Sequence, residues 1–347
     1  MFVGENLGAP VHSSYRDDQD WDDQFAAGLR AANTDGADWV YPDTGRFGGG
    51  AHHNLAYALS DHLKARGAFK PEHGGWDALW SELEETEGCV VLSSEAFAKL
   101  SADEVADLAR ILEGHHVQIH LCLRRHDGRL HSSYLQRAKF GRITFDPDLD
   151  ILLGWLQDDW ERPTFEHATI YRSWVVCFGA SSIVVTDYDR LTAGLVPHFW
   201  AAHGLAPVQV PDLPRANTAP TLRSLVAVWY LKECAQQQLG HDVVISAHIA
   251  AKISGLYRDR PDVVPAYKLF GYGTACAIWD EMAQDRAALV DLLGPGVVVP
   301  RAPLRSDYAQ AITDPKALLA QMSADDRREI DSICRHVVRG HRRAKAG

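Results

Sequence analysis

The feature that most constrains this chain is a strand that gives way to a helix through two adjacent arginines. Val117, Ile119, Leu121 and Leu123 alternate with Gln118, His120 and Cys122, the period of two that marks a β-strand. The run stops at Arg124 and Arg125. His126, Asp127 and Gly128 read as a turn, with Asp127 as a helix N-cap. From Arg129 the sequence predicts a helix with Leu130, Tyr134, Leu135 and Ala138 near one face. Ligands of an open parallel sheet bind at the carboxyl ends of its strands. Arg124, Arg125 and the hydroxyls of Ser132 and Ser133 near the start of the helix therefore suit a phosphate or sulfate. The same residues also read as a surface arginine pair closing an ordinary core strand.

The flanking sequence says what kind of sheet this strand would join. Met1 to Val3 is a short apolar start. Trp39 to Tyr41 is a strand stopped by Pro42, and Cys89 to Leu92 is a buried strand. Helices are expected between them over Asn54–Ala65 and along the face made by Trp76, Leu79, Trp80 and Leu83. Another is expected from Ser101, where Ser101 with Glu104 makes a capping box and Leu100 with Val105 a staple. Ile170–Phe178 reads as a helix and Ser182–Asp187 as a strand. Strands alternating with helices indicate an α/β fold, a parallel sheet flanked by helices. From about 195 the chain turns mainly helical: Leu195–His203, Leu222–Leu239, His248–Tyr257, Ala275–Leu293 and Ala317–Val338, the last opened by Ser323 with Asp326. The division expected is a core over 1–205 and a mainly helical part over 206–347, ending in a basic, frayed tail at 335–347.

Candidate chemistry gathers near the helix starts. DTGRFGGGAHH at 43–53 is a glycine-rich entry to a helix, and a neutral histidine there, His52 or His53, can accept a proton near pH 7. The alternative is a helix-entry histidine bonded to nearby backbone. Glu95 follows Ser93 and Ser94 at a strand end. It can serve as base, hold a hydroxyl, or pair with Arg124 or Arg125. The acidic run of Asp17, Asp18, Asp20, Asp22 and Asp23 lacks the glycine and distal glutamate of a calcium loop, so it reads as the start of a helix through Phe25, Leu29 and Ala32. No metal site is expected.

Composition narrows the function classes. A net charge of −11 argues against a nucleic-acid partner. The six cysteines carry no CxxC pair, which reads as reduced core thiols rather than a disulfide frame or zinc site. No apolar run approaches the ~20 residues of a membrane helix, and no leader segment is visible. A cytoplasmic protein is the expectation.

LRRHDGRLHSSYLQRAKFG, residues 123–141, resembles the 3′-phosphate-binding segment of the sulfotransferase superfamily, in which a strand-end arginine precedes a helix serine by eight residues, as Arg124 precedes Ser132. VYPDTGR at 40–46, HHNLAYAL at 52–59, VVLSSEAF at 90–97, WVVCFGASSIVVTDYDRL at 174–191 and, more weakly, RANTAP at 215–220 are similar to a bacterial branch of sulfotransferase-like proteins. The resemblance spans about 38–220. It implies a P-loop-type α/β fold. It also implies a 3′-phosphoadenosine-5′-phosphosulfate donor held by Arg124 and Ser132, a hydroxyl acceptor such as a saccharide, His53 or Glu95 as base, and no metal. The branch carries a lysine in an N-terminal loop that cradles the 5′-phosphosulfate, whereas this chain has no lysine before Lys64. Ser13, Ser14 and Arg16 are the residues that can rebuild the cradle. Two rivals follow: a relative that binds nucleotide but is catalytically weakened or inactive, and a glycosyltransferase, for which Asp187 with Tyr188-Asp189 would supply a weak carboxylate pair for a divalent ion.

Overall fold

The computed structural model describes residues 2–4, 39–46, 50–65, 67–86, 88–139, 149–158, 162–191, 195–204, 221–241, 243, 245–257, 267–294, 299–309, 312 and 315–346. Along these residues the strands are β1 (Phe2–Gly4), β2 (Trp39–Val40), β3 (Cys89–Val90), β4 (Ile119–Leu123) and β5 (Ile183–Asp187). The helices are α1 (His53–Tyr57), α2 (Asp61–Ala65), α3 (Trp76–Glu82), α4 (Ala102–Ile111), α5 (His126–Lys139), α6 (Leu149–Gln157), α7 (Arg162–Phe165), α8 (His167–Phe178), α9 (Leu195–His203), α10 (Leu222–Leu239), α11 (Ala247–Tyr257), α12 (Tyr272–Glu281), α13 (Ala283–Leu293), α14 (Pro315–Ala320) and α15 (Ala324–Ala346). The fold is mostly helical with two small parallel sheets, one ordered β1-β4-β5 and one β2-β3. That is less sheet than the expected P-loop-type α/β core, and β3 does not share a sheet with β4. Glu95 therefore does not follow a strand of the sheet that carries Arg124.

Two compact units divide the chain. The first comprises residues 1–129, 155–217 and 280–302, and the second 130–154, 218–279 and 303–347. In the first, β4 is the middle strand. Phe2 to Gly4 pair with His120 to Cys122, and Ile183 to Asp187 with Ile119 to Leu123, all parallel. Every residue of β4 is buried. Ile119, Leu121 and Leu123 join Phe97, Val105, Leu108, Ile170 and Trp174 in one apolar cluster. Full burial of each such side chain contributes about 1.5–3 kcal/mol. The capping box forms as expected: the Ser101 hydroxyl accepts the Glu104 N–H and the Glu104 carboxylate accepts the Ser101 N–H. Leu100 and Val105 are both buried beside it. In the second unit α10, α11 and α15 surround Ala227, Leu231, Ile253, Ile330 and Cys334. Thr221 caps α10 through the Ser224 N–H, and Gly240 ends it in the left-handed conformation.

Several expectations need correction. Helix α5 starts at His126, not Arg129, so Asp127 is not its cap but lies in its first turn, where the Arg125 Nε binds its carboxylate at 2.6 Å. A carboxylate is favourable in a first turn. Nor is α5 one-sided: all residues from Arg125 to Ala138 are buried, polar ones included. The helix expected over 54–65 breaks between Tyr57 and Asp61, that over 275–293 at Met282, and that over 317–338 between Ala320 and Ala324. Cys89 is exposed, so β3 is not a buried strand and this thiol is not in the core. The basic tail continues α15 as helix to Ala346 rather than fraying from 335. Ser13, Ser14, Arg16, the acidic run and RANTAP lie outside the described residues. Among those described, no helix is long and apolar enough to cross a membrane.

Candidate functional site

Parallel pairing sets the geometry of the first candidate. β1, β4 and β5 run the same way, so the chain leaving Gly4, the pair Arg124-Arg125 and the segment Tyr188-Asp189-Arg190 all emerge at one edge. Arginines there meet carboxylates. Besides Arg125 on Asp127, Arg190 Nε stands 3.1 Å from Asp187 Oδ2. Asp189 accepts the Arg125 N–H at 2.9 Å, and its own N–H donates to Asp187 Oδ1 at 3.0 Å. Burial holds the Asp187 carboxyl above the usual range. Arg124 is half-buried and lies over the Tyr188 ring, 5.3 Å from its centroid. Its side chain folds back across Gly128: a Cβ there would stand 3.3 Å from Arg124 Nε. Gly128 thus leaves the room that the guanidinium uses. Ser132 sits further along α5, is buried, and falls in the second unit.

The second candidate surrounds the start of α1. Its entry is tightly pinned. Glu82 accepts the N–H groups of Asp43 and Thr44 at 2.6 and 2.7 Å. Gly45 has φ 83° and its Cβ position is filled by Leu55, so no side chain fits there. Asn54 donates to the carbonyls of Lys70 and Gly74 and accepts the Lys70 N–H. His52 is fully buried, with both ring nitrogens committed to backbone: Nδ1 accepts the Ser93 N–H at 3.2 Å and Nε2 donates to Pro42 O at 3.0 Å. Burial, helped by the Arg46 charge, pushes its pKa from 6.5 down to about 3, so it stays neutral. His53 differs. Its Nδ1 is 2.7 Å from Ser94 Oγ, which also accepts the Ala96 N–H to cap the 3₁₀ turn Glu95–Lys99. The Ser93 hydroxyl lies 2.6 Å from Tyr41 OH. Glu95 stands 3.9 Å from Lys99 Nζ, and its turn packs beside β1. His53 and Ser94 are thus in direct contact, and Glu95 joins them as the next residue along the chain.

Two side-chain clusters were not legible in the sequence. His120 is fully buried; its Nδ1 is 3.0 Å from His203 Nε2, and the half-buried His203 reaches the exposed Gln118, Nδ1 to Oε1, at 3.0 Å. Burial, with His203 and His198 nearby, lowers the His120 pKa to about 3, and burial lowers that of His203 to about 4. The other cluster joins His126 and His167 with Asp285, more than a hundred residues away in sequence. No periodicity links such distant positions. The second unit holds a cavity of about 250 Å³ lined by Leu222, Arg223, Val226, Tyr257, Met322 and Asp326 among others.

No protein-family model and no curated protein matches the chain. Among solved structures, a sulfotransferase from Alicyclobacillus acidocaldarius superposes over 70% of this chain and 96% of its own with a TM-score of 0.35 at 15% identity, a likeness too slight to carry an argument about fold or activity.

Proposed function

We propose that this chain is a sulfotransferase-like protein whose donor site is the carboxyl edge of the β1-β4-β5 sheet. The observation that carries the reading is Arg124 at the β4–α5 junction, beside the exit of β1 and over the Tyr188 ring. It is supported by the sequence resemblance over the same segment. In this reading Arg124 binds the 3′-phosphate of 3′-phosphoadenosine-5′-phosphosulfate, with Ser132 assigned to the same phosphate by the resemblance. Ser13, Ser14 and Arg16, which lie outside the described residues, are the groups this reading assigns to the 5′-phosphosulfate. Asp187 and Asp189 accept from arginine and backbone donors, which favours this reading over a glycosyltransferase with a carboxylate-held ion.

His53 is the proposed base. With Nδ1–H donating to Ser94, Nε2 is the nitrogen that takes the proton of an acceptor hydroxyl, such as that of a saccharide. The acceptor oxygen then forms the new S–O bond, and the S–O bond to the bridging phosphate oxygen breaks. The bisphosphate leaves with the electron pair. Positioning and charge stabilisation supply the rate. His52, locked to backbone at both nitrogens, orients the entry, and Glu95 holds Lys99 beside it. Because the 5′ cradle lacks its lysine, transfer is expected to be slow; losing one such transition-state donor costs ~10²–10³ in rate. The test is transfer of labelled sulfate from the donor to a panel of hydroxylated saccharides, with wild type and Arg16→Ala in parallel. Slow transfer that Arg16→Ala abolishes is expected. Brisk turnover indifferent to Arg16 would contradict the rebuilt cradle, and donor that neither binds nor reacts would overturn the reading.

A further inference from the structure

Three helix starts in the sheet-bearing unit bring two histidines and a carboxylate together. His126 is the first residue of α5, His167 the first of α8, and Asp285 the third of α13. Each offers one ligand-type atom, and the three atoms all lie within 4.8 Å of one another. Both imidazoles are fully buried and the Asp285 side chain is 6% exposed. The rings stack with centroids 4.1 Å apart and planes 20° from parallel, so their in-plane lone pairs lie in neighbouring, nearly parallel sheets.

One separation matches the ligand edge of a metal site. His126 Nε2 is 3.3 Å from Asp285 Oδ2. A charge-assisted N–H···O bond would hold these atoms at about 2.7–2.9 Å. Ligands around a tetrahedral ion with bonds of about 2.0–2.1 Å stand about 3.3–3.4 Å apart, which is the observed edge. Bringing all three donors onto one ion shortens the widest separation by about 1.5 Å by the same bond lengths and turns the two stacked rings out of parallel so that their in-plane lone pairs converge. Asp285 is already oriented by backbone: Oδ2 accepts the His167 N–H and Oδ1 the Ala168 N–H, each at 2.9 Å. Outer partners of this kind fix the direction of a ligating carboxylate. The helix ends oppose a cation, but their screened partial charges are roughly an order of magnitude weaker than a zinc–ligand set.

We propose that His126, His167 and Asp285 bind a divalent transition metal, zinc by preference, that clips the starts of α5, α8 and α13 together. Two histidines and a carboxylate with tetrahedral edges are a zinc-type donor set. The site adjoins the arginine edge, His126 being the residue after Arg125, but none of its three ligands has a part in the proposed transfer reaction.

The test uses the full chain, stripped with chelator, loaded with zinc or cobalt and desalted. About one equivalent of zinc is expected to remain, with a raised unfolding temperature. The cobalt form should show the intense visible bands of a four-coordinate ion. His167→Phe keeps a ring stacked on His126 but removes a ligand, and should weaken zinc binding roughly a hundredfold or more while far-UV circular dichroism stays unchanged. Zinc retention by wild type no greater than by His167→Phe would overturn the proposal. So would a pale, six-coordinate cobalt spectrum in wild type, a result that does not depend on the variant folding.

Discussion

The arginine edge and the histidine–serine pocket belong to one compact unit, yet they handle polarity in opposite ways. At the edge, charges are matched: Arg125 with Asp127, Arg190 with Asp187, and Asp189 with the Arg125 N–H. Arg124 lies against the face of Tyr188. In the pocket His52, Ser93 and Ser94 are fully buried and neutral, held by hydrogen bonds to backbone, to Tyr41 and to His53. Burial penalises a lone charge far more than a satisfied neutral group. Under the proposed function the difference is a division of labour: the guanidinium groups at the strand ends meet the anion, and the His53 imidazole beside Ser94 takes the proton.

The strongest test of that division is His53→Asn. Asparagine can keep a hydrogen bond to Ser94 but cannot act as base. Sulfate transfer should fall by ~10²–10⁴, the usual share of general-base catalysis, while bisphosphate affinity is unchanged. A parallel loss of affinity, read by titration calorimetry, would break the separation between pocket and edge.

Neutrality of the buried histidines sets a second expectation. His52 and His120 have folded-state pKa values of about 3 against 6.5 unfolded. Between those values the unfolded chain binds protons that the folded chain refuses. Their stabilisation is therefore full above pH 6.5 and is lost as pH falls from 6.5 toward 3, on the order of a few kcal/mol each. Urea midpoints should drop steadily from pH 7 to pH 4, and His52→Asn should flatten the slope. A midpoint that does not move with pH would contradict a neutral pocket.

A smaller effect sharpens the edge itself. Gly128→Ala places a methyl 3.3 Å from Arg124 Nε on a helix that prefers alanine by about 0.8–1 kcal/mol. Bisphosphate binding should weaken severalfold while thermal stability holds or rises. Affinity unchanged by the methyl would mean that Arg124 does not work from this position.

What the sequence made legible follows from how local each signal is. The capping box at Ser101, the strand that ends at Asp187 and the α10 limits Leu222 and Leu239 rest on neighbours a few residues apart, and all appear as read. For helix α5 the sequence places Leu130, Tyr134, Leu135 and Ala138 near one face, whereas His126, Asp127, Arg129, Ser133 and Gln136 are buried with them, which spacing alone does not announce. The break at Met282 carries no glycine or proline to announce it. In the pocket, the pairing of His53 with Ser94 spans 41 residues, and nothing in the local pattern distinguishes it from the backbone-locked role of its neighbour His52.

The central claim is that Arg124 holds the 3′-phosphate of the donor nucleotide. The most direct measurement compares thermal shifts of wild type and Arg124→Ala with adenosine 3′,5′-bisphosphate and with AMP. A ligand present at a hundred times its Kd should stabilise the folded chain by about 2.7 kcal/mol. The account predicts a clear shift of wild type by the bisphosphate, little by AMP, and a bisphosphate response in Arg124→Ala reduced by about 1.5–3 kcal/mol of binding energy. Equal shifts by the two nucleotides, or a bisphosphate response that survives intact in Arg124→Ala, would contradict it.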